Sequence, residues 1–320
     1  MKLATWMAAC AVSLGATFGA QAANWPEHSV TLVVPYPAGG GVDPVARLVG
    51  QKLSERWGQP VVVQNKAGAS GSIGAAYVAR AKPDGLTIMM SATAEVVINQ
   101  FLMQQMPYNP EKDLLPVTLA VRLPFILVAN PKQPYNSMSE LLAYARKHPR
   151  EITYASSGNG TPQHLAAVLL EQLGGVQLTH IPYKGVAPSI SALLAGEVDI
   201  GFAGLPTGQP YAKSGQLKAL GLSSRTPSGA SPGTAPLAAT PGLEKFELNQ
   251  WFGIFVPAGT PDDIVQKIQQ DIAAVLQMPD VRKTLVSQGA EPSGMPTAEF
   301  REFVKSERKK FEDIVKAGNL

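Results

Sequence analysis

The sequence predicts an α/β protein in which mainly parallel sheets are flanked by helices. The main observation is a repeated order of short β-branched run, glycine-rich loop and helix, which is typical of parallel sheets. A length of 320 residues with 45% hydrophobic and 16% charged residues suggests two domains with sizeable cores. The formal net charge is only +3, so the charge balance argues against nucleic acid as a partner.

Residues 1–22 have the features of a secretory signal peptide. Lys2 gives a positive start, an apolar stretch from Leu3 to Phe18 follows, and Ala20-Gln21-Ala22 matches an A-x-A cleavage site. The apolar stretch is shorter than the roughly 20 residues that a membrane-spanning helix needs. The only cysteine, Cys10, lies inside this segment, so the exported chain would form neither disulfides nor thiolate metal sites.

Three segments show the order of strand, loop and helix most clearly. In the first, a β-branched run stops at a loop rich in proline and glycine, and Asp43-Pro44 then supplies an N-cap and a first-turn proline. The strands are expected over residues 30–34, 60–63 and 152–155, and the loops that follow them over residues 35–41, 68–74 and 156–160. The first helix is expected to begin at Asp43, the second to end at about Ala81, and the third to run from His164 to Leu173.

The remaining elements continue this alternation. Ser137–Glu140 is a capping box ahead of a helix, and Thr260-Pro261 caps a helix with isoleucines at helical spacing. Further strands are expected over residues 86–90 and 198–202. Apolar residues from Phe300 to Val315 recur at helical spacing among many charges, which indicates an amphipathic helix. We expect it to pack on the body of the protein; a helix on a membrane surface is the alternative.

Two extended apolar runs could carry the chain between domains. They are Leu123–Val128 and Trp251–Val256. If both are crossovers, residues 23–122 and 251–320 form a discontinuous first domain, and residues 123–250 form the second. The segment from Thr226 to Pro241 is rich in Pro, Ser, Gly and Ala, so it is expected to be a surface loop.

Three loops that follow strands have the composition of an anion site. They are Pro37–Asp43, Ser91–Thr93 and Ser156–Thr161, and each precedes a helix or a turn. The first turn of a helix has free N–H groups and a positive dipole end, so it can hold an anion without Lys or Arg. The glycines could equally serve only to make tight turns. Three such loops together favour a ligand such as a carboxylate.

Other classes of site lack their motifs. No P-loop occurs, and Gly68, Gly71 and Gly74 do not have dinucleotide-binding spacing, so no nucleotide cofactor is expected. The four histidines have no metal-ligand spacing, and no G-x-S-x-G elbow is present. Ser156 with His164 is the one combination of nucleophile and base that an esterase hypothesis could use. We expect a protein without cofactor, metal or catalytic activity.

The chain resembles the Bug, or TctC-type, family of extracytoplasmic solute-binding proteins of tripartite tricarboxylate transporters. As a set the matching motifs are specific, and they cover the chain after the signal segment in the right order. They are VVPYPAGGGVD at 33–43, GQPVVVQNKAG at 58–68, PDGLT at 83–87, YASSGNGT at 154–161, HLA at 164–166, PYKG at 182–185, LAGEVD at 194–199 and WFG at 251–253.

The resemblance implies a two-domain clamshell of the periplasmic-binding-protein type that holds a small carboxylate in the cleft. Loops from opposite domains would hold the carboxylate through backbone amides, hydroxyls and bridging waters. The site residues carried over are Tyr36, Ala38, Gly39, Gly40 and Asp43 in the first loop, Ser156, Ser157, Asn159, Gly160, Thr161 and His164 in the second, and Ser91, Thr93, Tyr183 and Ala203 at more variable positions.

Two departures from the family pattern limit this transfer. The chain has Ala38-Gly39-Gly40 where the first loop of the family commonly reads Pro-Gly-Gly, a small change that should leave the backbone amides available. Ala203 stands where many relatives have a polar residue, which favours an apolar or aromatic ligand body.

By this resemblance the protein would be a monomeric periplasmic receptor that passes its ligand to a membrane permease. A sensor subunit that signals to a membrane kinase is the alternative with the same fold. Dicarboxylates, tricarboxylates, aromatic acids and amino acids all remain open as ligands.

Overall fold

The computed structural model describes residues 25–318, so the predicted signal segment lies outside the described residues. These residues form two β-sheets flanked by helices. The strands are Val30–Val34 (β1), Val61–Asn65 (β2), Thr87–Ser91 (β3), Leu114–Leu123 (β4), Phe125–Ala129 (β5), Thr153–Ser156 (β6), Thr179–Pro182 (β7), Ile200–Gly204 (β8), Lys218–Leu222 (β9), Gln250–Pro257 (β10) and Glu291–Pro292 (β11).

The helices alternate with the strands, as the sequence predicts. The α-helices are Val42–Trp57 (α1), Ser72–Ala79 (α2), Asn99–Leu102 (α3), Met138–Lys147 (α4), Pro162–Gly174 (α5), Val186–Ala195 (α6), Leu205–Lys213 (α7), Asp262–Gln277 (α8), Pro279–Ser287 (α9) and Thr297–Ala317 (α10). A π-helical turn covers Ala94–Ile98, ahead of α3, and short 3₁₀ turns cover Ala69–Gly71 and Leu237–Ala239.

Each sheet combines parallel strands with antiparallel ones. The first sheet has the order β11-β4-β10-β3-β1-β2, and β1 pairs in parallel with β2 and β3. The second has the order β7-β6-β8-β5-β9, and β6 pairs in parallel with β7 and β8. Each antiparallel pair involves β4, β5 or β10, and β5 and β10 largely coincide with the two predicted crossover runs. The sheets are therefore more mixed than the repeated strand–helix order suggests.

The chain passes between the sheets at two places. β4 of the first sheet ends at Leu123, and β5 of the second begins at Phe125, so Pro124 alone separates them. The chain returns in β10, which pairs with β4 along its whole length. The two crossovers therefore lie side by side.

A continuous apolar cluster joins the two sheets. It contains Met89 of β3, Leu127 of β5 and Phe300 of α10, all buried. The predicted C-terminal amphipathic helix is α10, and its apolar side packs against β4 and α5. Trp251 donates from its indole to Glu307 of α10 at 2.9 Å, which satisfies a buried donor in this interface. Within residues 25–318, no helix has the length and apolar character to cross a bilayer.

Candidate functional site

The loops that follow the parallel strands of the two sheets approach each other. β1, β2 and β3 run in one direction, so the loops after them lie along one edge of the first sheet. β6, β7 and β8 have the same relation in the second sheet. Leu102, at the end of α3, reaches the second edge, because a Cβ atom added at Gly160 would lie 2.7 Å from its Cδ1 atom. The candidate site lies between these two loop edges.

The first loop turns tightly between β1 and α1. The Gly40 N–H donates to the Pro37 carbonyl at 3.1 Å, and Gly39 has a φ of +78°, which favours glycine. No side chain caps α1 at Gly41. Within residues 25–318, nothing accepts a hydrogen bond from the backbone N–H groups of Ala38 and Gly41. Two donors beside a helix N-terminus therefore remain open to an anion.

Asp43 anchors this loop from the first turn of α1. Its Oδ2 atom accepts from the Gly39 N–H at 3.0 Å and from Arg47 at 2.9 Å, and its Oδ1 atom accepts from Asn65 at 2.8 Å. The hydrogen bond from Arg47 lowers the pKa of Asp43 to about 2, so the carboxylate stays ionised. Both of its oxygens accept hydrogen bonds from within the protein, so in this structure Asp43 shapes the site.

Tyr36 links the first loop to the segment that follows β3. Its hydroxyl donates to Oε2 of Glu95 at 2.7 Å, and Asn65 donates to its backbone carbonyl at 3.0 Å. Burial and the neighbouring Glu95 carboxyl raise the pKa of the Tyr36 phenol, so it keeps its proton. The residue is half-buried, which leaves part of it open towards solvent.

Ser91 and Thr93 are buried where β3 ends. Ser91 donates to the Ala92 carbonyl at 2.7 Å, and the Thr93 hydroxyl lies within 3.5 Å of the backbone of Trp251 in β10. These contacts fasten the loop after β3 to the strand that returns from the second sheet. Direct contact of these hydroxyls with a ligand stays a prediction.

The second loop is braced by hydrogen bonds within itself and to α5. The Gly160 N–H donates to Nδ1 of His164 at 3.0 Å, and the Thr161 hydroxyl donates to the Gly158 carbonyl at 2.8 Å. Gly160 has a φ of +70°, a conformation that side chains rarely adopt. Because Nδ1 of His164 accepts, the ring carries its proton on Nε2.

Ser157 and Asn159 carry the open polar groups of the second loop. Ser157 donates from its hydroxyl to Gln163 at 3.1 Å, and Asn159 is exposed. In the part of the chain that the structure describes, the backbone N–H groups of Ser157 and Asn159 have no acceptor. The second loop therefore offers two backbone donors, as the first loop does.

An aromatic stack lies against the second loop. The ring centroids of His164 and His180 are 3.9 Å apart, and those of Tyr154 and His180 are 4.8 Å apart. Burial lowers the pKa of His164 to about 4 and also lowers the pKa of His180. Both imidazoles are neutral near pH 7, so they supply hydrogen bonds and no positive charge.

Ser156 bonds to His180 and not to His164. Its Oγ atom lies 2.6 Å from Nε2 of His180 and 3.0 Å from the Gly158 carbonyl oxygen, and the residue is buried. The sequence offered Ser156 with His164 only as the combination that an esterase hypothesis could use, and the structure does not join the two by a hydrogen bond. The reason is that His164 turns its Nδ1 atom to the Gly160 N–H.

The last two predicted residues lie at the same edge of the second sheet. The Tyr183 N–H donates to the Ser156 carbonyl at 3.0 Å, and the Tyr183 side chain is half-buried beside the second loop. Ala203 is buried in β8 and packs towards α7, because a Cβ atom added at Gly208 would lie 2.8 Å from the Ala203 Cβ. Tyr183 borders the candidate site directly, whereas the Ala203 side chain faces α7.

The electrostatics of the site come from neutral donors. Neither loop contains Lys or Arg, and Arg47, which follows the first loop, is hydrogen-bonded to Asp43 and Asn65. Hydrogen bonds from preorganised N–H groups to an anion are strong when water is excluded. Among residues 25–318, no cluster of His, Cys, Asp and Glu could hold a metal ion. The arrangement can therefore hold an anionic ligand without a metal.

The sequence interpretation missed three residues that the structure brings to the site. Glu95 bonds to Tyr36, His180 bonds to Ser156, and Leu102 reaches Gly160. An acidic residue directly before the apolar run Val96–Ile98 was a visible signal for Glu95. No local pattern marks the other two, because their partners are distant in the chain.

Two helix-flanked sheets with opposed loop edges define a solute-binding protein of the periplasmic-binding-protein class. The Rhodopseudomonas palustris protein Rpa4515 with adipate has a TM-score of 0.77 and 33% identity, with 92% of this chain and 98% of that chain covered. MatC from Rhodopseudomonas palustris with bound malate has a TM-score of 0.72 and 32% identity, with 91% and 100% covered. The predicted fold class is confirmed.

The chain belongs to the tripartite tricarboxylate transporter receptor family. The model described as "Tripartite tricarboxylate transporter family receptor" matches residues 45–320. Protein BugT of Bordetella pertussis is 33% identical over 294 residues, which are 92% of this chain and 90% of BugT. The resemblance to the Bug family is confirmed, and the chain is a solute-binding receptor and not an enzyme.

Proposed function

We propose that this protein is a periplasmic receptor that captures a small organic carboxylate between its two loop edges and delivers it to a membrane permease. The observation that carries the proposal is the set of open backbone N–H groups on the two loops, neither of which contains Lys or Arg. Such groups bind anions through directed hydrogen bonds and the helix dipole. The family match supports a tripartite tricarboxylate transporter as the destination.

The proposed roles of the site residues divide into contact and support. Contact comes from the N–H groups of both loops and from the hydroxyls of Tyr36, Ser157 and Thr161. To donate to the ligand, these hydroxyls turn away from Glu95, Gln163 and the Gly158 carbonyl, which accept from them in this structure. Support comes from residues that fix the shape of the loops through side chains or through backbone N–H groups. The supporting residues are Gly39, Gly40, Asp43, Ser156, Gly160 and His164.

A dicarboxylate is the first ligand class to test. Two relatives with about one third identity to this chain are described with adipate and with malate, both of which are dicarboxylates. One carboxylate group would sit on the N–H groups of the loops. The rest of the ligand would face Tyr183, Leu102 and their neighbours.

Capture would use two domains and a closing motion. We propose residues 23–122 and 251–320 as one domain and residues 123–250 as the other. Apart from the end residues Leu123 of β4 and Gln250 of β10, this division places one sheet in each domain. The ligand would shift the population towards the closed form by binding it more tightly. Export would follow cleavage after Ala22.

Thermal unfolding against a panel of acids tests this function. The protein is first refolded to remove bound solutes and is then heated with succinate, malate, adipate, citrate, benzoate or glutamate. A ligand that binds only the native state raises the melting temperature by mass action. We expect at least one free acid to raise it and its diamide or ester to leave it unchanged.

The neutral amides and esters are the matched controls, since they keep the shape of the acid and lose its charge. Stabilisation by a neutral compound alone would contradict the anion site. A panel in which no free acid changes the melting temperature would contradict the proposed function.

A further inference from the structure

Glu95 is a buried carboxyl group without a cationic partner. It lies in the π-helical turn after β3 and is 0% exposed. Its Oε1 atom accepts from the Ala92 N–H at 2.7 Å, and its Oε2 atom accepts from the Tyr36 hydroxyl at 2.7 Å. Within residues 25–318, no Lys, Arg or His forms an ion pair with it.

The surroundings of Glu95 leave little room for movement. A Cβ atom added at Gly71 would lie 3.0 Å from the carboxyl carbon, so the backbone of the 3₁₀ turn packs directly on it. Titratable or polar groups from several elements pack around it: Tyr36 from the first loop and Ser91 from β3. The Tyr108 hydroxyl donates to the Glu95 backbone carbonyl. Arg308 of α10 bonds to the Val96 carbonyl and is paired with Glu111 at 3.3 Å.

We propose that Glu95 is a positioning residue for Tyr36 and couples capture of the ligand to uptake of a proton. When Glu95 is ionised, the Tyr36 hydroxyl donates to it, so the Tyr36 proton is committed. When Glu95 is protonated, its O–H can donate to the Tyr36 oxygen, and the Tyr36 proton can turn to a bound carboxylate. This inference rests on the proposed function, because it takes Tyr36 as part of the anion site.

Electrostatics favour the same direction. An ionised Glu95 would place a second negative charge near the ligand in a site with no Lys or Arg in its loops, and like charges repel strongly where water is excluded. Binding of an anion should therefore favour the protonated form. Proton uptake removes the repulsion and supplies one more donor at the same time.

The relevant pH range follows from the protonation of Glu95. Burial raises the pKa of Glu95 to about 7, so both of its forms are populated near neutral pH. If only the protonated form binds well, the apparent dissociation constant rises roughly tenfold between pH 6 and pH 8, because the competent fraction falls by that factor.

Two other titratable groups of the loops, Asp43 and His164, do not change charge in this range. The pKa of Asp43 is lowered to about 2 by its hydrogen bond from Arg47, and the pKa of His164 is lowered to about 4 by burial. Burial also lowers the pKa of His180. A change in affinity between pH 6 and pH 8 that remains after the ligand's own ionisation is subtracted, and that Glu95→Gln removes, therefore reports on Glu95.

Isothermal titration calorimetry tests the inference with the same six acids. Each acid is titrated at pH 6, 7 and 8 in two buffers of different ionisation enthalpy, so that the number of protons taken up is measured directly. For the wild type we expect about one proton at pH 8 and affinity roughly tenfold weaker at pH 8 than at pH 6.

Three variants separate positioning from a merely structural role. Glu95→Gln offers a neutral amide that can donate to Tyr36, so we expect affinity that no longer depends on pH and no proton uptake. Tyr36→Phe should weaken binding at pH 6 and also remove the pH dependence. Glu171→Gln is the matched control, because burial likewise raises the pKa of Glu171. Glu171 lies on α5, where it accepts from the Leu178 N–H and not from Tyr36. We therefore expect this variant to keep the wild-type pH profile.

The outcomes distinguish the two proposals. If an acid binds without proton uptake, or if Glu95→Gln keeps the wild-type pH profile, the role of Glu95 is refuted and the receptor function stands. If none of the six acids binds the wild type at any of the three pH values, the proposed function and the inference both fail. The proton count of the wild type needs no variant, so a variant that does not fold leaves the test decisive.

Discussion

Backbone N–H groups carry most of the proposed anion site at the scale of single residues. Ala38 and Gly41 supply them in the first loop, and Ser157 and Asn159 supply them in the second. The side chains of Asp43 and His164 accept hydrogen bonds from their own loops, and so they hold neighbouring groups in place. This division explains how a carboxylate could be bound without a cationic side chain.

Gly41→Asp is expected to weaken carboxylate binding by at least about tenfold. Gly41 has a φ of −55°, and the nearest atom to an added Cβ is Cζ of Phe252 at 3.8 Å, so a side chain fits there. An aspartate would stand beside the ligand carboxylate, and two like charges about 4 Å apart repel by roughly 1–4 kcal/mol. Calorimetric titration with an acid from the thermal panel measures the loss.

Gly41→Asn is the matched control for this substitution, since asparagine has the same size without the charge. We expect it to bind within a few-fold of the wild type. An equal loss in both variants would show a steric effect, and wild-type affinity in Gly41→Asp would place the ligand elsewhere.

The segment between β3 and β4 connects the two loop edges at the scale of elements. Its π-helical turn carries Glu95 under the first loop, and α3 then places Leu102 against the second loop. π-helical turns occur mostly as single-turn irregularities and often at functional sites. One short segment thus contacts both halves of the candidate site.

Leu102→Ala is expected to weaken binding several-fold and to leave the melting temperature of the free protein nearly unchanged. Leu102 is 36% exposed, so its truncation removes little core packing. Its contact with Gly160 joins the two edges, and loss of about 1 kcal/mol from the closed form lowers affinity roughly fivefold. Titration and thermal unfolding of the same variant measure both quantities.

Val62→Ala is the control for Leu102→Ala, because Val62 is also an exposed aliphatic residue, at 48% exposure, and it lies on the edge strand β2. It should bind the acid as the wild type does. The assignment of Leu102 would be wrong if the two variants behaved alike.

The molecule as a whole joins two sheets through adjacent crossovers and one shared apolar cluster. β4 and β10 pair with each other where the chain leaves and returns, and Met89, Leu127 and Phe300 belong to one buried cluster. Motion between the sheets would therefore be a rotation about this region, with the loop edges moving most.

Small-angle scattering is expected to show a smaller radius of gyration when a binding acid saturates the protein. Closure of two domains over a ligand brings their centres together, whereas binding to a rigid surface does not. At an acid concentration only a few times the wild-type dissociation constant, Gly41→Asp should contract less than the wild type, because less of it is occupied. An unchanged wild-type radius at saturation would contradict closure.

The sequence by itself determined the elements and predicted the class of site. Alternation of β-branched runs, glycine loops and capped helices predicted an α/β fold, and the two crossover runs were visible as extended apolar stretches. These features depend on periodicity and on turn chemistry, which act over a few residues. The glycine loops were recognisable for the same reason, since their free N–H groups follow from the start of a helix.

Only the tertiary structure decided which side chains meet. Tyr36 and Glu95 are 59 residues apart, and Ser156 and His180 are 24 apart, so no local pattern pairs them. Pairing of Ser156 with His180 depends on the parallel register of β6 and β7, which sets the two strands side by side. The partner of a buried polar group is chosen by the packing of distant strands, because burial demands a hydrogen-bond partner while the sequence leaves its identity open.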